Sequence, residues 1–271
     1  MISTFHWRRA AAASVAALAL AQPPAAMAAG VLLDEMTWTE VRDALRAGST
    51  TIIIPVGGTE QSGPHMALGK HNVRVAALSA RIAEKLGNAL VAPVVSYVPE
   101  GRVSPPAGHM RFPGTISVPD AAFAGIVAGA ARSFRQHGFL DIVLIGDHGG
   151  YQGQLKDVAK RLNTEWAGSR TRAHFIAAYY QGAGDRFKQA LKAKGLSDAQ
   201  IGVHAGAADT SLMLAVDPAR VRADRLQPGT SEAATGVVGD PSRASAALGK
   251  IGIDMAVDQA VDAIRQAVKT H

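Results

Sequence analysis

The sequence predicts an α/β fold in which helices cover both faces of a mostly parallel sheet. Short apolar runs rich in β-branched residues alternate along the chain with longer stretches whose apolar residues recur at helical spacing. Strands that alternate with helices form parallel sheets, because a helix carries the chain back to the start of the next strand. No internal repeat or low-complexity linker interrupts the alternation, so residues 29–271 are interpreted as one domain.

Residues 1–28 are interpreted as a secretory signal peptide. Two arginines, Arg8 and Arg9, precede an apolar run over residues 10–21, and the segment closes on the small-residue pattern Ala-Met-Ala. The run is too short to span a bilayer, which takes roughly twenty apolar residues, and an uncleaved anchor is the alternative. We therefore expect an exported protein, in first place a periplasmic one, with no membrane attachment after cleavage.

The composition excludes two classes of site. The chain has no cysteine, so any metal must be held by nitrogen and oxygen atoms rather than by thiolates. Its formal charge of +6 comes from Lys and Arg scattered through amphipathic segments, and aromatic residues make up only 5%. A nucleic-acid-binding surface needs clustered basic residues, so nucleic acid is not an expected partner.

The first half of the fold begins with a buried strand. TIIIPVGG (51–58) is β-branched and ends in glycines, which is typical of a central strand running into a loop. VRVAALSARIAEKL (73–86) has apolar residues at helical spacing and predicts a helix. ALVAPVVSYVP (89–99) predicts a second strand, in which Pro93 indicates an edge or an irregular position.

The second half repeats the alternation. DAAFAGIVAGAARSFRQHGF (120–139) predicts a helix, and DIVLIGDHGG (141–150) a third strand that again runs into glycines. QGQLKDVAKRLNTEW (152–166) predicts a helix, and AHFIAAYY (173–180) a fourth strand. The C-terminal segment 247–271 has the apolar spacing of one long amphipathic helix.

Histidine-bearing, glycine-rich loops follow two of the predicted strands. Glu60 lies just past the first strand, and His148 lies at the end of the third. Ligands of parallel α/β sheets gather at the carboxyl ends of the strands, so these two loops are expected to open onto one edge. A single loop histidine is more often a solvated residue than a ligand. Five of the nine histidines, however, lie in loops rich in glycine or proline, which predicts a shared site: His65, His71, His109, His148 and His204.

Four segments resemble the signature blocks of a known family. They are PVGGTEQSGPHMALGKH (55–71), MRFPGTISV (110–118), GDHGG (146–150) and HAGAADTSLML (204–214). In these blocks the chain resembles the creatininase family of metal-dependent amidohydrolases. The resemblance implies a three-layer α/β/α sandwich with a mostly parallel central sheet, and commonly a homo-oligomer such as a hexamer. It also implies hydrolysis of a C–N bond in a small or cyclic amide at a pair of divalent ions, usually zinc, manganese or iron.

The resemblance implies a changed set of metal ligands. Glu60 matches a glutamate ligand, His148 matches the histidine ligand of the glycine loop, and His71 stands at the aspartate that bridges the two ions. Ser62 and Gly150 stand where a histidine and a glutamate would complete the second ion site. Two imidazoles and one carboxylate suit zinc or non-haem iron, whereas a serine hydroxyl is a poor ligand. The matched positions therefore predict one divalent ion, zinc in first place with manganese or iron as alternatives, held by Glu60, His71 and His148.

Other residues near the matched blocks are candidates for proton transfer and substrate binding. Amide hydrolysis needs an acid or base that carries a proton to the leaving nitrogen, and the candidates are His204, Asp209 and His65. We favour His204, with Asp209 orienting or assisting it. The candidates for substrate binding are His109, Arg102 and Tyr151. Side chains alternate along a strand, so Asp147, which precedes His148, is expected to point away from the metal.

Two other classes of function compete with the hydrolase. A binding protein that kept the fold after losing catalysis would also explain Ser62 and Gly150, although decay would not be expected to put another good ligand at position 71. A non-hydrolytic metalloenzyme, such as an iron-dependent lyase or oxygenase, fits the same ligand set. Creatinine is a doubtful substrate, because Val203 occupies a position that is acidic in creatininase.

Overall fold

A four-stranded parallel sheet forms the centre of the molecule. The computed structural model describes residues 30–229 and 231–269, so the signal peptide predicted over residues 1–28 lies outside the described residues. Within them the strand order is β2-β1-β3-β4, and each neighbouring pair is parallel. The strands are β1 (Thr51–Val56), β2 (Ala89–Val91), β3 (Asp141–Gly146) and β4 (Arg172–Phe175).

Helices cover both faces of the sheet. In chain order they are α1 (Trp38–Arg46), α2 (Lys70–Leu86), α3 (Asp120–Gln136), α4 (Gln152–Glu165), α5 (Ala177–Gln181), α6 (Phe187–Ala193), α7 (Asp198–Ile201), α8 (Ala207–Val216), α9 (Glu232–Thr235) and α10 (Ala246–Lys269). A π-helical turn, Gly182–Arg186, joins α5 to α6. The predicted three-layer α/β/α sandwich is therefore confirmed.

Alternation along the strands divides the core into two layers. Ile53 of β1 packs with α2, α8 and α10 on one face, whereas Ile52 and Ile54 pack with α3 and α4 on the other. All six residues of β1 are buried, which explains why its sequence is a continuous apolar run rather than an alternating one. Each fully buried Ile or Leu side chain contributes about 1.5–3 kcal/mol relative to exposure, so both layers stabilise the sheet strongly.

The longest helix, α10, packs closely against α8. A side chain at Gly249 would collide with the backbone carbonyl of Ser211, so glycine permits this approach. The buried face of α10 includes Ile253, Val257 and Val261, as the amphipathic pattern predicts. Within the described ranges, neither α10 nor any other helix is long and apolar enough to cross a membrane.

Two predicted strands are shorter than their apolar patterns. Sheet pairing of β2 stops at Val91, and only an isolated bridge between Val56 and Val95 continues it, because Pro93 cannot donate a hydrogen bond to the ladder. The predicted fourth strand ends at Phe175, and the residues that follow form α5, which buries Tyr179 against the core. Tertiary burial of this short apolar segment overrides its β-type composition.

Candidate metal centre

The loops after β1 and β3 open onto the same edge of the sheet. The two strands pair in register, with Val56 opposite Gly146. Glu60 follows the end of β1, and Asp147 and His148 follow the end of β3 directly. The parallel arrangement therefore brings the loops of Glu60 and His148 to one edge of the sheet, as the sequence predicts, and Asp147 lies at the same edge.

The first turn of α2 adds two charged or titratable side chains to this edge. The helix begins at Lys70, and both Lys70 and His71 are buried. A side chain at Gly57 would collide with Asn72, so the glycine lets α2 approach the end of β1. The Asn72 Oδ1 atom then accepts a hydrogen bond of 2.9 Å from the amide of Gly58, which fixes the start of the helix against the loop.

Glu60, His71 and His148 form a three-residue cluster, which we call the inner group. One ligand atom from each lies within 4.8 Å of the other two. The His71 Nε2 atom is 2.8 Å from Glu60 Oε1, and the His148 Nε2 atom is 3.4 Å from Glu60 Oε2. Glu60 is fully buried, yet its Oε2 atom accepts no hydrogen bond from the protein. An unsatisfied buried carboxylate oxygen beside imidazoles fits a divalent cation.

Glu60 carries a negative charge in this environment. Burial raises its pKa, but the ammonium of Lys70 and the hydrogen bond from His71 outweigh burial, so the pKa lies well below its usual value. An ionised carboxylate is the form that binds a metal ion.

A carboxylate stands behind His71. The His71 Nδ1 atom lies 2.6 Å from Asp147 Oδ2, so His71 can offer Nε2 to an ion while its other nitrogen donates to Asp147. Asp147 also accepts hydrogen bonds from Arg74 Nε at 2.8 Å and from the Tyr179 hydroxyl at 2.7 Å. Burial raises the pKa of Asp147, but the charge of Arg74 and the hydrogen bond from His71 together outweigh burial. The pKa of Asp147 therefore lies below its usual value. Asp147 thus contacts the far side of the imidazole rather than Glu60.

A second carboxyl group lies beside His148. The Glu100 Oε2 atom is 3.5 Å from His148 Nδ1, and neither Glu100 oxygen takes part in a hydrogen bond, although both are buried. Burial, and next the charge of Glu60, raise the pKa of Glu100 to about 9. Burial, and next the charge of His71, lower the pKa of His148 to about 4. His148 is therefore neutral at pH 7. Its Nδ1 atom accepts a hydrogen bond of 3.2 Å from the amide of Gly150, which places the proton of the neutral ring on Nε2, so Nε2 must give up this proton before it can bind an ion.

Two further imidazoles meet Glu60 from the other side, and we call Glu60, His109 and His204 the outer group. One ligand atom from each again lies within 4.8 Å of the others. The His109 Nε2 atom is 3.1 Å from Glu60 Oε2, and the His204 Nδ1 atom is 3.8 Å from Glu60 Oε1. Burial, followed by the charge of Lys70, lowers the pKa of His204 to about 3, so this ring is also neutral.

An amide group supports the outer group. Backbone groups fix the carboxamide of Gln61: its Oε1 accepts from the Gly63 amide at 3.0 Å, and its Nε2 donates to the Gly236 carbonyl at 3.1 Å. The same Nε2 lies 2.9 Å from His109 Nδ1. Because an amide nitrogen only donates, His109 Nδ1 must accept, and the proton of a neutral His109 ring is then on Nε2. His109 in this form is a donor facing Glu60 rather than a ligand.

Asp209 contacts cationic side chains rather than His204. Its Oδ2 atom is 3.1 Å from Lys70 Nζ, and its Oδ1 atom is 2.9 Å from Arg74 Nη1. It also accepts a hydrogen bond from the amide of Ala205. Burial raises its pKa, but the charges of Lys70 and Arg74 hold the pKa well below the usual value. The His204 Nε2 atom instead lies 3.0 Å from the backbone oxygen of Gln61.

The remaining predicted residues, His65, Tyr151 and Arg102, have hydrogen-bond partners outside the inner and outer groups. His65 is fully buried and bonds through Nε2 to the Thr210 hydroxyl at 3.0 Å, and burial lowers its pKa to about 4. The buried Tyr151 hydroxyl donates to the Val56 carbonyl and accepts from the backbone amides at the end of β3, so it ties the two strand ends together. Arg102 is exposed and donates to the carbonyl of Pro105.

A cavity of about 320 Å³ adjoins the charged residues. Its wall includes Arg74, Asp147, Tyr180, His204 and Asp209. Pockets of this size hold small ligands. The cavity adjoins the cluster on the side of His204 and Asp147, and none of Glu60, His71 and His148 is among its lining residues.

The sequence did not indicate four of the side chains that support the site: Gln61, Lys70, Arg74 and Glu100. Lys70 stands directly beside His71 in the first block, and this adjacency was the available signal. Glu100 precedes a glycine in the irregular segment after β2, where no periodicity marks an element.

Comparisons with known proteins identify the family to which the chain belongs. The model of the family described as creatinine amidohydrolase matches residues 34–264. A creatinine amidohydrolase from Pseudomonas putida is 30% identical over 261 residues, which cover 89% of this chain and 98% of that protein. A mycofactocin precursor peptide peptidase from Mycobacterium tuberculosis is 30% identical over 244 residues, covering 80% of this chain and 85% of that protein.

Solved structures show the same fold. A crystal structure of creatinine amidohydrolase superposes with a TM-score of 0.73 at 27% identity and covers 88% of this chain and 98% of that one. Two further creatininase structures, with TM-scores of 0.71 and 0.70, are described as a manganese form and a zinc–zinc form, both at 28% identity over 88% of this chain. The chain therefore belongs to the creatininase family and is a metal-dependent amidohydrolase.

Proposed function

We propose that this protein hydrolyses a C–N bond of a small or cyclic amide with one divalent ion, in first place zinc, held by Glu60, His71 and His148. The observation that carries the proposal is the cluster of one ligand atom each from Glu60, His71 and His148 within 4.8 Å of one another, in which the buried, ionised Oε2 atom of Glu60 faces ring nitrogens. A carboxylate oxygen in this state is costly unless a cation binds it. Manganese and iron are the alternatives to zinc.

The side chains around the ion would hold it and orient it. A divalent ion supplies Lewis acidity for the amide carbonyl and lowers the pKa of water from about 16 towards 7. Asp147 holds the His71 ring through Nδ1 and thereby aims Nε2 at the cluster. Burial of Glu60 and His71 excludes water from behind the ligands, so their charges act in a medium of low dielectric constant.

Two groups are suited to move protons. His204 Nε2 faces the Gln61 carbonyl, so the Nδ1 atom turned towards Glu60 is the proton acceptor of this ring, although its lowered pKa makes it a weak base. In the metal-free protein the pKa of Glu100 is about 9, so its carboxyl group holds a proton that it can give to the leaving nitrogen. The other two sequence candidates have partners of their own. Asp209 is bonded to Lys70 and Arg74, and His65 is bonded to Thr210, so we assign both of them supporting roles.

The size of the cavity favours a small substrate. A volume of about 320 Å³ suits a lactam, a cyclic urea or a short amide. His109, with its Nε2 hydrogen facing the cluster, is suited to bind the substrate carbonyl or carboxylate. A peptide amide is a second candidate, because one relative at 30% identity is named as a peptidase that acts on a precursor peptide.

The experiment combines elemental analysis with a substrate screen. The chain without residues 1–28 is purified, its metal content is measured, and lactams, cyclic ureas, small amides and short peptides are tested for hydrolysis. We expect one divalent ion per chain, loss of activity on chelation and recovery on adding zinc or manganese. A protein that binds one ion but cleaves none of these amides would support the alternative of an inactive binding protein with the creatininase fold.

Export and assembly belong to the same proposal. The basic, apolar and small-residue pattern of residues 1–28 supports export to the periplasm, with neither membrane nor nucleic acid as a partner of the cleaved chain. Family membership supports a homo-oligomer, for example a hexamer. N-terminal sequencing of periplasmic protein and light scattering of the purified chain test both points. A cytoplasmic, full-length monomer would contradict them.

A further inference from the structure

Lys70 places a buried ammonium group inside the cluster of acidic side chains. Its side chain is 1% exposed. The Nζ atom lies 3.4 Å from Glu60 Oε1 and 3.1 Å from Asp209 Oδ2, so it contacts one carboxylate from the loop after β1 and one from the first turn of α8. A buried ammonium is costly unless it is paired, and this one is paired twice.

The charges of the cluster suit one divalent ion. Six acidic or basic side chains form the charged cluster, five of them buried and Asp209 with 21% of its side chain exposed: Glu60, Glu100, Asp147, Asp209, Lys70 and Arg74. The formal charges of the four carboxylates and two cations sum to −2. One divalent ion brings this sum to zero, whereas two would leave an excess of +2, which is unfavourable in a medium of low dielectric constant.

The second candidate group has a hydrogen-bond donor and a cation beside it. In the outer group, the Gln61 amide donates towards His109 Nδ1 and so places the ring proton on the nitrogen that faces Glu60. Lys70 lies beside the Glu60 oxygen that His204 approaches. The charge of Lys70 opposes a second ion at this position. The donor behind His109 does not by itself separate the two groups, because the Gly150 amide donates to His148 Nδ1 in the same way.

We infer that the Lys70 ammonium stands in for a second metal ion, so that the site works with one divalent cation and one built-in monovalent one. This inference rests on the proposed function, since it assumes an ion at the inner group. Lys70 is then a positioning residue: it neutralises Glu60 and Asp209 and keeps both carboxylates turned towards the cluster.

Removing the ammonium should open a second metal position. Without it, Glu60 Oε1 and Asp209 Oδ2 lose their shared partner, and His204 Nδ1 lies 3.8 Å from the same Glu60 oxygen. Asp209 is not among the residues whose ligand atoms lie within 4.8 Å of Glu60 and His204 in the wild type, so its carboxylate would have to move into the space of the ammonium to complete a zinc site.

The test compares zinc stoichiometry in three proteins: the wild type, Lys70→Met and Lys70→Arg. Each is saturated with Zn²⁺, freed of excess by gel filtration and analysed for bound zinc, and its fold is checked by circular dichroism. We expect one ion in the wild type, two in Lys70→Met and one in Lys70→Arg, which keeps the charge. If Lys70→Met does not fold, Lys70→Gln replaces it in the same comparison.

The outcomes separate this inference from the proposed function. One ion in the wild type and one in folded Lys70→Met overturns the role of Lys70 and leaves the one-metal hydrolase intact. Two ions in the wild type overturn the inference without any variant. No ion in the wild type overturns the metal site of the proposed function, and the inference falls with it.

Discussion

The inner and outer groups share Glu60 and offer similar ligand atoms, but their supporting residues differ in charge. Behind the inner group, Asp147 accepts from His71 and Glu100 lies beside His148. Behind the outer group, the neutral Gln61 donates towards His109. A carboxylate behind an imidazole makes its free nitrogen a better ligand, whereas an amide donor directs a hydrogen to the nitrogen that faces the site.

We infer from this difference that the group bonded to the far ring nitrogen of a histidine, more than the distance of the ring from a carboxylate, decides whether the histidine binds an ion. Both groups meet the same distance criterion of 4.8 Å. In the inner group the far nitrogen of His71 meets a carboxylate, whereas in the outer group the far nitrogen of His204 meets the neutral backbone carbonyl of Gln61. We therefore assign ion binding to the inner group and substrate or proton handling to the outer group, and four experiments can break or sharpen this division.

The largest effect is expected from His148→Ala. The substitution removes one of three ligands and leaves Glu60 and His71 to hold the ion alone. We expect metal affinity to fall at least 100-fold and amide hydrolysis to become undetectable, as measured by zinc titration and by activity at saturating substrate.

An exposed histidine provides the matched control. His137 lies at the C-terminal end of α3, and His137→Ala should leave metal content and activity unchanged. Unchanged zinc content and thermal stability in His148→Ala would remove His148 from the ligand set and, with it, the inner group as the metal site.

His204→Ala should separate chemistry from metal binding. Loss of a proton-transfer group typically lowers the rate by about 10²–10⁴-fold, so we expect kcat to fall in that range while one zinc ion stays bound. The measurement is zinc content and kcat on the same preparation. Loss of the ion together with His204 would show that the outer group contributes a ligand, and the division between the two groups would fail.

Asp147→Asn tests the carboxylate behind His71. The amide keeps the size of the side chain but cannot accept from His71, Arg74 and Tyr179 in the same way. Loss of such a supporting carboxylate costs about 10–100-fold in metal affinity. Tyr179→Phe, which removes one hydrogen bond but leaves the carboxylate, is the control and should cost less. Equal affinities for wild type and Asp147→Asn would remove the difference in support between the two groups.

The fold and the first ligands could be predicted because they follow from local pattern. β1 and β3 are apolar runs that end in glycines, and the rule for parallel sheets then places Glu60 and His148 at one edge. His71 was expected in the loop before a helix starting at residue 73, whereas α2 starts at Lys70 and carries His71 in its first turn. The composition of the segment after β4 predicts a strand, and this prediction is wrong. The segment is helical because it is buried against α10.

The supporting residues could not be predicted because their roles depend on contacts distant in sequence. Lys70 reads as a solvated helix residue until Asp209, 139 positions later in the chain, is brought against it. Gln61 and His109 meet across 48 positions, which include α2 and β2. Such pairings leave no periodic signal, and only the folded chain shows whether a polar side chain faces a partner or water.

The smallest effect is expected from Glu100→Gln in the metal-free protein. The pKa of Glu100 is about 9 in the folded state and near 4.5 when exposed, so between these pH values the native state binds the extra proton. Stability should therefore fall as pH rises, by at most about 1.4 kcal/mol per pH unit from this group, and Glu100→Gln should remove that slope. Urea unfolding at pH 5.5–8.5 after chelation measures it, with the exposed Glu84→Gln as control. If the slopes of wild type and Glu100→Gln coincide, Glu100 is ionised in the fold, and the inner group has a second negative charge rather than a proton donor beside His148.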